Sequence, residues 1–290
     1  MSGTRQPDGP MSGTILPGEA HRYYDAGVEA ARLSAGTSRL ELARTQEIVT
    51  RYLPAPPGVV LDVGGGPGVY ACWLARAGYE VHLLDAVPLH VVQARAASAA
   101  QPEHPLASLN VGDARRLERD DASVDAVLLL GPLYHLTERD DRLTALREAR
   151  RVLHPGGYLF AAAIGRWTSA LDGMFHGLID DPAFGSILER DLAEGQHRNQ
   201  TDNPVYFTTT YFHRPEELAG ELAEAGFAVE PVLPVEGPAW LLPDFGARWN
   251  DPARRAALLD LVRALESEPA LLGTSAHLLA VGRKPGSDRI

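Results

Sequence analysis

Short apolar runs alternate with amphipathic stretches along most of the chain. Continuous runs of β-branched and aliphatic residues are typical of strands buried on both faces of a parallel sheet, whereas apolar residues at helical spacing predict helices. Strands are predicted at residues 59–63, 80–85, 106–111, 123–130, 158–164, 227–235 and 275–283. Helices are predicted at residues 38–53, 70–77, 87–100, 137–154, 214–225 and 251–266. This alternation predicts an α/β fold with right-handed crossovers.

The segment between the first strand and the next helix is rich in glycine. It reads Val59-Val-Leu-Asp-Val-Gly-Gly-Gly-Pro-Gly-Val-Tyr70. Glycines let the backbone turn sharply and approach a ligand closely, and strand–turn–helix units of this kind bind nucleotide-like cofactors in open α/β sheets. Two patterns fit the segment. Gly66, Gly68 and Ala71 match the G-x-G-x-x-G/A pattern of dinucleotide-binding enzymes. The second pattern, acid-x-G-x-G-x-G, begins at Asp62 and ends at Gly68.

The second pattern resembles the signature loop of class I S-adenosylmethionine-dependent methyltransferases. Charge favours it, because no Lys or Arg stands between Val59 and Leu74 and Asp62 is acidic. A dinucleotide brings a pyrophosphate to such a turn, whereas S-adenosylmethionine brings a sulfonium, an ammonium and one carboxylate. We therefore expect S-adenosyl-L-methionine as cofactor and S-adenosyl-L-homocysteine as product. An NAD(P)-dependent oxidoreductase is the alternative, and so is a non-methylating protein, such as a cyclase, on the same fold.

The resemblance implies further cofactor contacts at the ends of later strands. Asp85 ends the second strand and would accept hydrogen bonds from the ribose hydroxyls, as in dinucleotide enzymes. Asp113, after the third strand, matches the residue that accepts from the adenine amino group. Arg39 is a candidate for the cofactor's carboxylate or else a solvated helix arginine, and Tyr24 lies in a segment that folds over the cofactor in such enzymes. The predicted cofactor-binding residues are Asp62, Gly64, Gly66, Gly68, Asp85, Ala86, Asp113, Ala114, Leu130, Gly131, Tyr24 and Arg39.

The alternation of strands and helices breaks between residues 165 and 211, which hold many aromatic side chains. We predict a helical lid inserted after the fifth strand, with a partly apolar substrate pocket beneath it. The alternative, for about half of these aromatic side chains, is that they only pack the lid onto the core, without contacting the substrate. Residues 1–20, rich in Gly, Ser, Thr and Pro, are predicted to be a mobile tail. The resemblance implies one domain over residues 21–290, a Rossmann-like, doubly wound, seven-stranded and mostly parallel sheet with an antiparallel last strand.

The fourth strand leads into Gly131-Pro-Leu-Tyr-His-Leu136, which matches the place where cofactor and substrate meet in the resembled family. Enzymes that methylate nucleobase amines often carry Asn or Asp in place of Gly131, so this chain resembles small-molecule methyltransferases instead. His135 is the candidate general base, since an ordinary imidazole pKa of about 6.5 suits that role at neutral pH. A structural histidine bonded to the lid is the alternative. The predicted substrate-binding residues are Tyr23, Tyr134, His135, Trp167, His176, His197, Tyr206 and Tyr211.

Composition and charge narrow the function further. The 290 residues are 45% hydrophobic, which suffices for a packed core. A formal net charge of -11 disfavours nucleic-acid backbones and anionic membranes as partners. The single cysteine, Cys72, excludes an intrachain disulfide, and the histidines lack metal-ligand spacing, so no metal site is predicted. We expect a cytoplasmic protein, because the sequence shows neither a membrane-length apolar run nor a secretory signal. We also expect an enzyme with a small-molecule substrate that is either a monomer or a homodimer.

Overall fold

The computed structural model describes residues 29–201 and 203–286, so the predicted tail, Tyr23 and Tyr24 lie outside the described residues. The strands are β1 Val59–Val63, β2 Glu80–Asp85, β3 Ser108–Val111, β4 Val124–Leu129, β5 Leu153–Gly165, β6 Gln196–His197, β7 Thr210–His213, β8 Ala228–Val229, β9 Leu233–Pro234 and β10 His277–Arg283. The α-helices are α1 Glu29–Arg32, α2 Ser38–Tyr52, α3 Val69–Arg76, α4 Pro88–Ala99, α5 Pro132–His135, α6 Arg139–Val152, α7 Thr168–His176, α8 Pro182–Glu194, α9 Pro215–Glu224, α10 Phe245–Asn250 and α11 Pro252–Leu265. Short 3-10 helices occur at Leu178–Asp180, Pro204–Tyr206, Gly237–Leu241 and Pro269–Thr274. None of these described helices is both long and apolar enough to traverse a lipid bilayer.

The strands form a sheet in the order β3-β2-β1-β4-β5-β10-β8, with β9 also paired to β10. Strands β1 to β5 run parallel, and β10 is antiparallel to the strands on both of its sides. This confirms the predicted seven-stranded, doubly wound and mostly parallel sheet with an antiparallel last strand. The carboxyl ends of β1, β2, β3 and β4 therefore meet at one edge, where open α/β sheets bind their ligands.

The apolar runs of the sequence bury both faces of the sheet. In β1, Val60 belongs to one core cluster together with Phe160 of β5. Leu61 and Val63 belong to a second cluster together with Leu146 of α6. Side chains of a strand alternate between its two faces, so a strand covered on both sides needs an apolar residue at nearly every position.

The start of β5 differs from the prediction. The helix expected to end before Pro155 is α6 and ends at Val152, and β5 begins directly at Leu153. The ladder between β4 and β5 shifts its register just after Val124, so the Pro155-Gly-Gly157 sequence lies at an irregularity of the strand. Proline has no backbone N–H, and a bulge leaves a residue unpaired in the ladder, so a proline is tolerated there. Pro155 can therefore lie within β5 instead of in a loop that ends the preceding helix.

The predicted sixth strand, residues 227–235, is divided into β8 and β9. Pro231 lies between the two pieces and has no N–H to donate to the ladder. Both pieces pair with β10. The break therefore leaves the order of the strands intact.

The lid predicted at residues 165–211 contains α7 and α8 and returns to the sheet through β6 and β7. Strand β7 runs parallel to the end of β5, with Phe212 opposite Ile164 and His213 opposite Gly165. The N–H of Arg166 also donates to the His213 carbonyl at 2.7 Å. Both ends of the lid are thus hydrogen-bonded to each other at the edge of the sheet that carries the candidate site.

Candidate functional site

A cleft at the carboxyl ends of β1 to β4 consists of two adjoining cavities. The β2–β3 cavity is bordered by Asp85, Ala86, Asp113, Ala114 and His135, among others. The α1 cavity is bordered by Arg32, Glu41, Asp62, Leu130 and His277, among others. Five residues line both cavities and join them: Glu29, Gly64, Gly66, Gly131 and Tyr134. The cleft therefore brings together most of the predicted cofactor-binding residues.

The glycine turn after β1 forms the wall between the two cavities. Gly64 has a φ of +70° and its N–H donates to the Leu84 carbonyl at 2.7 Å. A Cβ at Gly64 would lie 2.6 Å from the ring of Pro132, so a larger residue does not fit there. Gly66 is open to the cleft. Gly68, with a φ of +87°, precedes α3, packs on Ala94 and does not line either cavity.

Asp62 is a buried acid at the α1 cavity. Its Oδ2 has no hydrogen-bond partner among the described residues. Burial and the nearby carboxylate of Asp85 raise the pKa of Asp62 to about 7. A buried carboxylate is stabilised by a cation more strongly than by any neutral group, so this end of the cleft favours a positively charged ligand.

Asp85 connects the glycine turn to the end of β2. Its carboxylate accepts the N–H of Gly66 at 2.8 Å and the N–H of Val87 at 2.8 Å. The Nδ1 atom of His90 lies 3.1 Å from the same carboxylate. Asp85 thus fixes the shape of the turn and borders the β2–β3 cavity, next to Ala86.

Asp113 lies at the β2–β3 cavity, as predicted for an adenine contact, but its oxygens already accept hydrogen bonds. The guanidinium of Arg115 donates to both oxygens, at 2.6 Å for the shortest bond, and the Arg115 N–H donates at 2.9 Å. Arg115 also pairs with Asp141 at 2.9 Å. The ion pair therefore fixes the orientation of the Asp113 side chain.

Arg32 lines the α1 cavity, and the sequence analysis did not identify it. Its guanidinium donates to Glu29 at 2.7 Å and to the two oxygens of Glu41 at 2.6 and 3.0 Å. Arg39, the predicted partner of the cofactor's carboxylate, instead donates to Asn250 at 2.9 Å and lies over the ring of Phe245. Apart from its charge, nothing in the sequence indicated that Arg32 lies at the cleft. It stands in a short stretch whose apolar residues show no clear helical or strand spacing.

His135 lies in α5, directly after β4, and borders the β2–β3 cavity. Its ring meets the ring of Tyr134 edge-on, with centroids 4.7 Å apart, and the ring of Phe207 at 6.5 Å. Burial lowers the pKa of His135 to about 4, and a hydrogen bond with the Thr209 main chain offsets this only in part. The imidazole is therefore neutral at physiological pH and able to accept a proton.

Arg142 holds the turn that follows His135. Its guanidinium donates to the carbonyls of Leu136 at 3.0 Å and Thr137 at 2.9 Å. The same group forms a buried ion pair with Glu221, at 2.7 Å for the shortest bond. Burial opposes ionisation of Glu221, but hydrogen bonds from His213 and Arg142 lower its pKa to about 2. Helices α6 and α9 thus fix the position of the segment that carries His135.

The predicted residues His197 and Tyr206 lie inside the lid. His197 bonds through Nδ1 to Asp191 at 2.8 Å and through Nε2 to the Tyr206 carbonyl at 2.6 Å. The Tyr206 hydroxyl donates to Asp181. These contacts join α8 to the strand that follows it, and neither side chain is among the described residues that line the cleft.

Trp167, His176 and Tyr211 are also outside the described lining of the cleft. Trp167 lies beneath the guanidinium of Arg214 at 5.0 Å. His176 is exposed and pairs with Asp172 at 2.8 Å. The ring of Tyr211 covers the guanidinium of Arg142 at 3.8 Å. Phe207, which was not predicted, is the lid side chain that reaches His135.

Stability is expected to fall as the pH drops from about 6.5 to about 4, because of His135. The unfolded chain binds a proton at this histidine in that range and the folded chain does not, so the free energy of unfolding rises with pH there. The contribution of one such group is at most about 1.4 kcal/mol per pH unit. Urea denaturation at a series of pH values should show a shallower acid slope in His135→Asn than in the parent protein.

His176→Asn is the matched control for this experiment, because His176 is exposed in the lid. It should keep the acid slope of the parent protein. His213, whose pKa is also lowered by burial, adds to the slope in all three proteins and does not affect the comparison. Equal slopes in His135→Asn and the parent would contradict a neutral buried His135.

Comparisons with known proteins show which family and fold this chain is similar to. A family model described as a methyltransferase domain matches residues 61–161. The ubiquinone/menaquinone biosynthesis C-methyltransferase UbiE of Acidiphilium cryptum is 31% identical over 201 residues, which cover 67% of this chain and 75% of that protein. The ubiquinone biosynthesis O-methyltransferase of Xanthomonas axonopodis pv. citri is 29% identical over 73% of this chain and 78% of its own length. A solved S-adenosylmethionine-dependent methyltransferase from Mesorhizobium loti shares the fold, with a TM-score of 0.55 at 21% identity over 84% of this chain and 99% of its own.

Proposed function

Because the chain belongs to the class I S-adenosylmethionine-dependent methyltransferases, we propose that it methylates an acidic hydroxyl group of a phenol or an enol, or the carbon one position beyond the carbon that carries this hydroxyl, in an apolar small molecule. S-adenosyl-L-methionine is the cofactor of this enzyme family. The observation that carries the proposal is the buried imidazole of His135, which borders the cleft and lies 6.5 Å from the ring of Phe207.

The residues of the cleft fit this cofactor. Asp62 offers a buried carboxylate oxygen without a hydrogen-bond partner, which suits the positive charges of the sulfonium and the ammonium. Arg32 offers a guanidinium for the carboxylate at the same end. Asp85 lies at the end of β2, where an acid accepts from ribose hydroxyls. The two ends of the cleft therefore suit the amino-acid part and the nucleoside part of one elongated ligand.

The cofactor supplies an activated methyl group. The chain itself has to orient the acceptor at close range and remove its proton. With the cofactor bound, a ring nitrogen of His135 would accept the proton of the substrate hydroxyl while the oxygen, or the carbon ortho to it in a phenol, took the methyl group and S-adenosyl-L-homocysteine left with the electrons of the sulfonium–methyl bond. After transfer to carbon, the hydrogen of that carbon would move to the oxygen and restore the hydroxyl. Burial makes His135 a weaker base than a free imidazole, which favours an acidic acceptor such as a phenol or an enol.

The surroundings of His135 support an apolar acceptor rather than a nucleobase. Tyr134 and Phe207 present aromatic rings to His135. Gly131 offers no side chain that could accept from a nucleobase amine. One relative is named for C-methylation and another for O-methylation, which supports a proposal that covers both atoms.

Binding and turnover assays test the proposal in two steps. Calorimetry with S-adenosylhomocysteine should show binding, whereas mixing with NADPH should leave the fluorescence of the nicotinamide unchanged. The second step uses cofactor with a labelled methyl group and three acceptors of the same shape: a phenol, the matching aniline and the matching cyclohexanol. We expect label in the phenol. Label in the aniline alone would contradict the assigned acceptor class, and absence of S-adenosylhomocysteine binding would contradict the cleft assignment.

A further inference from the structure

His277 lies between two buried carboxylates at the α1 cavity. Its Nδ1 donates to Glu236 Oε1 at 2.6 Å and lies 3.9 Å from Glu41 Oε2. Its main-chain N–H donates to Glu236 Oε2 at 3.0 Å, and the Ser275 hydroxyl donates to the same oxygen at 2.9 Å. Residues at or just before the start of β10 thus fix the Glu236 carboxylate by three hydrogen bonds, and they bring the His277 ring close to the Glu41 carboxylate.

The second carboxylate, that of Glu41, holds Arg32 through two hydrogen bonds. A guanidinium has five N–H groups. Three of those of Arg32 are donated to Glu29 and Glu41 within the described part of the chain. Because the five N–H groups form a planar fork, the bidentate contact with Glu41 leaves one N–H on each side of the guanidinium, and the one parallel to Nε–H points towards Glu29. One N–H, on the side away from Glu29, is therefore left for a ligand in the α1 cavity.

Glu41, Glu236 and His277 also have the spacing of a three-ligand metal site. Cations of the protein already occupy these carboxylates, however. Arg32 pairs with Glu41, and His277 pairs with Glu236. The group is therefore better described as an ion network that joins β10, α2 and α1.

The charge of His277 is the variable part of this network. Burial disfavours the imidazolium, but Glu41 and Glu236 together raise the pKa of His277 to about 9. The titratable groups that face the network are Glu29 and Arg32 of α1, Glu41 of α2, Tyr70 of α3, Tyr134 of α5 and Glu236 after β9. Loss of the His277 proton would leave Arg32 as the single cation beside the side chains of Glu29, Glu41 and Glu236 in this network.

We propose that protonated His277 is a positioning residue for the cofactor: its charge attracts the Glu41 carboxylate 3.9 Å away, and Glu41 holds Arg32 so that one N–H is directed at the cofactor's carboxylate. His277 itself does not contact the ligand in this arrangement. The inference rests on the cofactor assignment of the cleft. A protein that binds no S-adenosylhomocysteine would contradict that assignment, whereas unaltered binding after removal of the His277 charge would contradict the positioning role alone.

His277→Asn tests the role directly, because the amide can still donate to Glu236 but carries no charge. At neutral pH we expect its Kd for S-adenosylhomocysteine, measured by calorimetry, to be about tenfold higher than that of the parent, the size of a typical coupling within one buried ion network. The Kd for 5′-methylthioadenosine should not change, since this nucleoside lacks the amino-acid part. His82→Asn is the matched control, because His82 is a partly buried strand histidine that lines neither cavity of the cleft.

The pH dependence gives a second readout that a purely structural role would not produce. The ratio of the two Kd values for S-adenosylhomocysteine, variant over parent, should fall towards one as the pH rises above about 9, because His277 then loses its proton in the parent as well. The ratio is independent of the titration of the ligand, which is the same in both measurements.

Equal affinity of His277→Asn and the parent at neutral pH would overturn the inference. Equal weakening for S-adenosylhomocysteine and 5′-methylthioadenosine would also overturn it, because it would indicate general damage to the fold. If the variant does not fold, nitrogen NMR of histidine-labelled parent protein decides. A neutral His277 ring at neutral pH contradicts the inference, and an imidazolium whose signals shift with S-adenosylhomocysteine but not with 5′-methylthioadenosine supports it.

Discussion

Asp85→Ala should weaken binding of S-adenosylhomocysteine by about 100-fold or more. The side chain fixes the glycine turn through the N–H of Gly66 and is the one acid at the end of β2 that borders the β2–β3 cavity. Its removal leaves the buried N–H groups of Gly66 and Val87 without their acceptor, and it removes the predicted partner of the ribose. Calorimetry with S-adenosylhomocysteine measures the effect.

Because the ribose is common to both ligands, Asp85→Ala should weaken binding of 5′-methylthioadenosine as strongly. This distinguishes it from His277→Asn, which is expected to affect the amino-acid part alone. Asp260→Ala serves as control, since Asp260 is exposed and pairs with Arg263 on α11. Affinity within a factor of about three of the parent would show that Asp85 acts only on the local turn and does not bind the nucleoside.

His135→Asn should lower kcat by about 1,000-fold while the affinity for S-adenosylhomocysteine stays nearly constant, because a general base contributes about 100- to 10,000-fold to a rate. The asparagine keeps a polar side chain of similar reach but cannot take up the proton of the acceptor. The measurement is steady-state turnover of the acceptor that the matched panel identifies. A general base acts on the acceptor and not on the bound cofactor. In this variant kcat should therefore fall while the Kd for S-adenosylhomocysteine stays nearly the same.

His176→Asn is again the suitable control, since it makes the same substitution at an exposed position of the lid. It should retain the turnover of the parent. Retention of more than about one tenth of the parental kcat in His135→Asn would instead support the alternative in which His135 is a structural histidine bonded to the lid.

Most of the cofactor-binding residues predicted from the sequence line the cleft, because their positions follow from local rules. A glycine turn after a buried strand, and an acid at the end of the next strand, lie near each other in any parallel sheet. Asp62, Gly64 and Asp85 therefore needed no knowledge of distant contacts. Arg32, Glu41 and His277 belong to three elements that are far apart in the chain, and no local pattern states that α1, α2 and β10 meet.

The lid shows a different limit of sequence reasoning. Its aromatic composition is compatible with rings that face a substrate and with rings that pack within the lid. The structure places His197 and Tyr206 in internal hydrogen bonds of the lid, whereas Phe207 reaches His135. Phe207 has a φ of +64°, a conformation that costs a non-glycine residue about 1–3 kcal/mol and that sequence patterns do not reveal.

The charge argument for the cofactor was drawn from a stretch without Lys or Arg between Val59 and Leu74. The fold adds Arg32 to that neighbourhood from α1. Two carboxylates, those of Glu29 and Glu41, already bind this cation, so it does not create a basic pocket of the kind that a pyrophosphate needs. The conclusion from the short stretch therefore agrees with the assembled cleft, although the stretch alone did not include all the charges.

The pairing of β7 with the end of β5 has a consequence for how such enzymes diversify. Both ends of the intervening segment, residues 166–209, are anchored to the same edge of the sheet by main-chain bonds that do not depend on side-chain identity. Sequence in that segment can therefore be exchanged with that of a homologue while the glycine turn and Asp85 keep their places. A chimera made at these two junctions should acquire the acceptor preference of the donor enzyme and keep the cofactor affinity of the recipient.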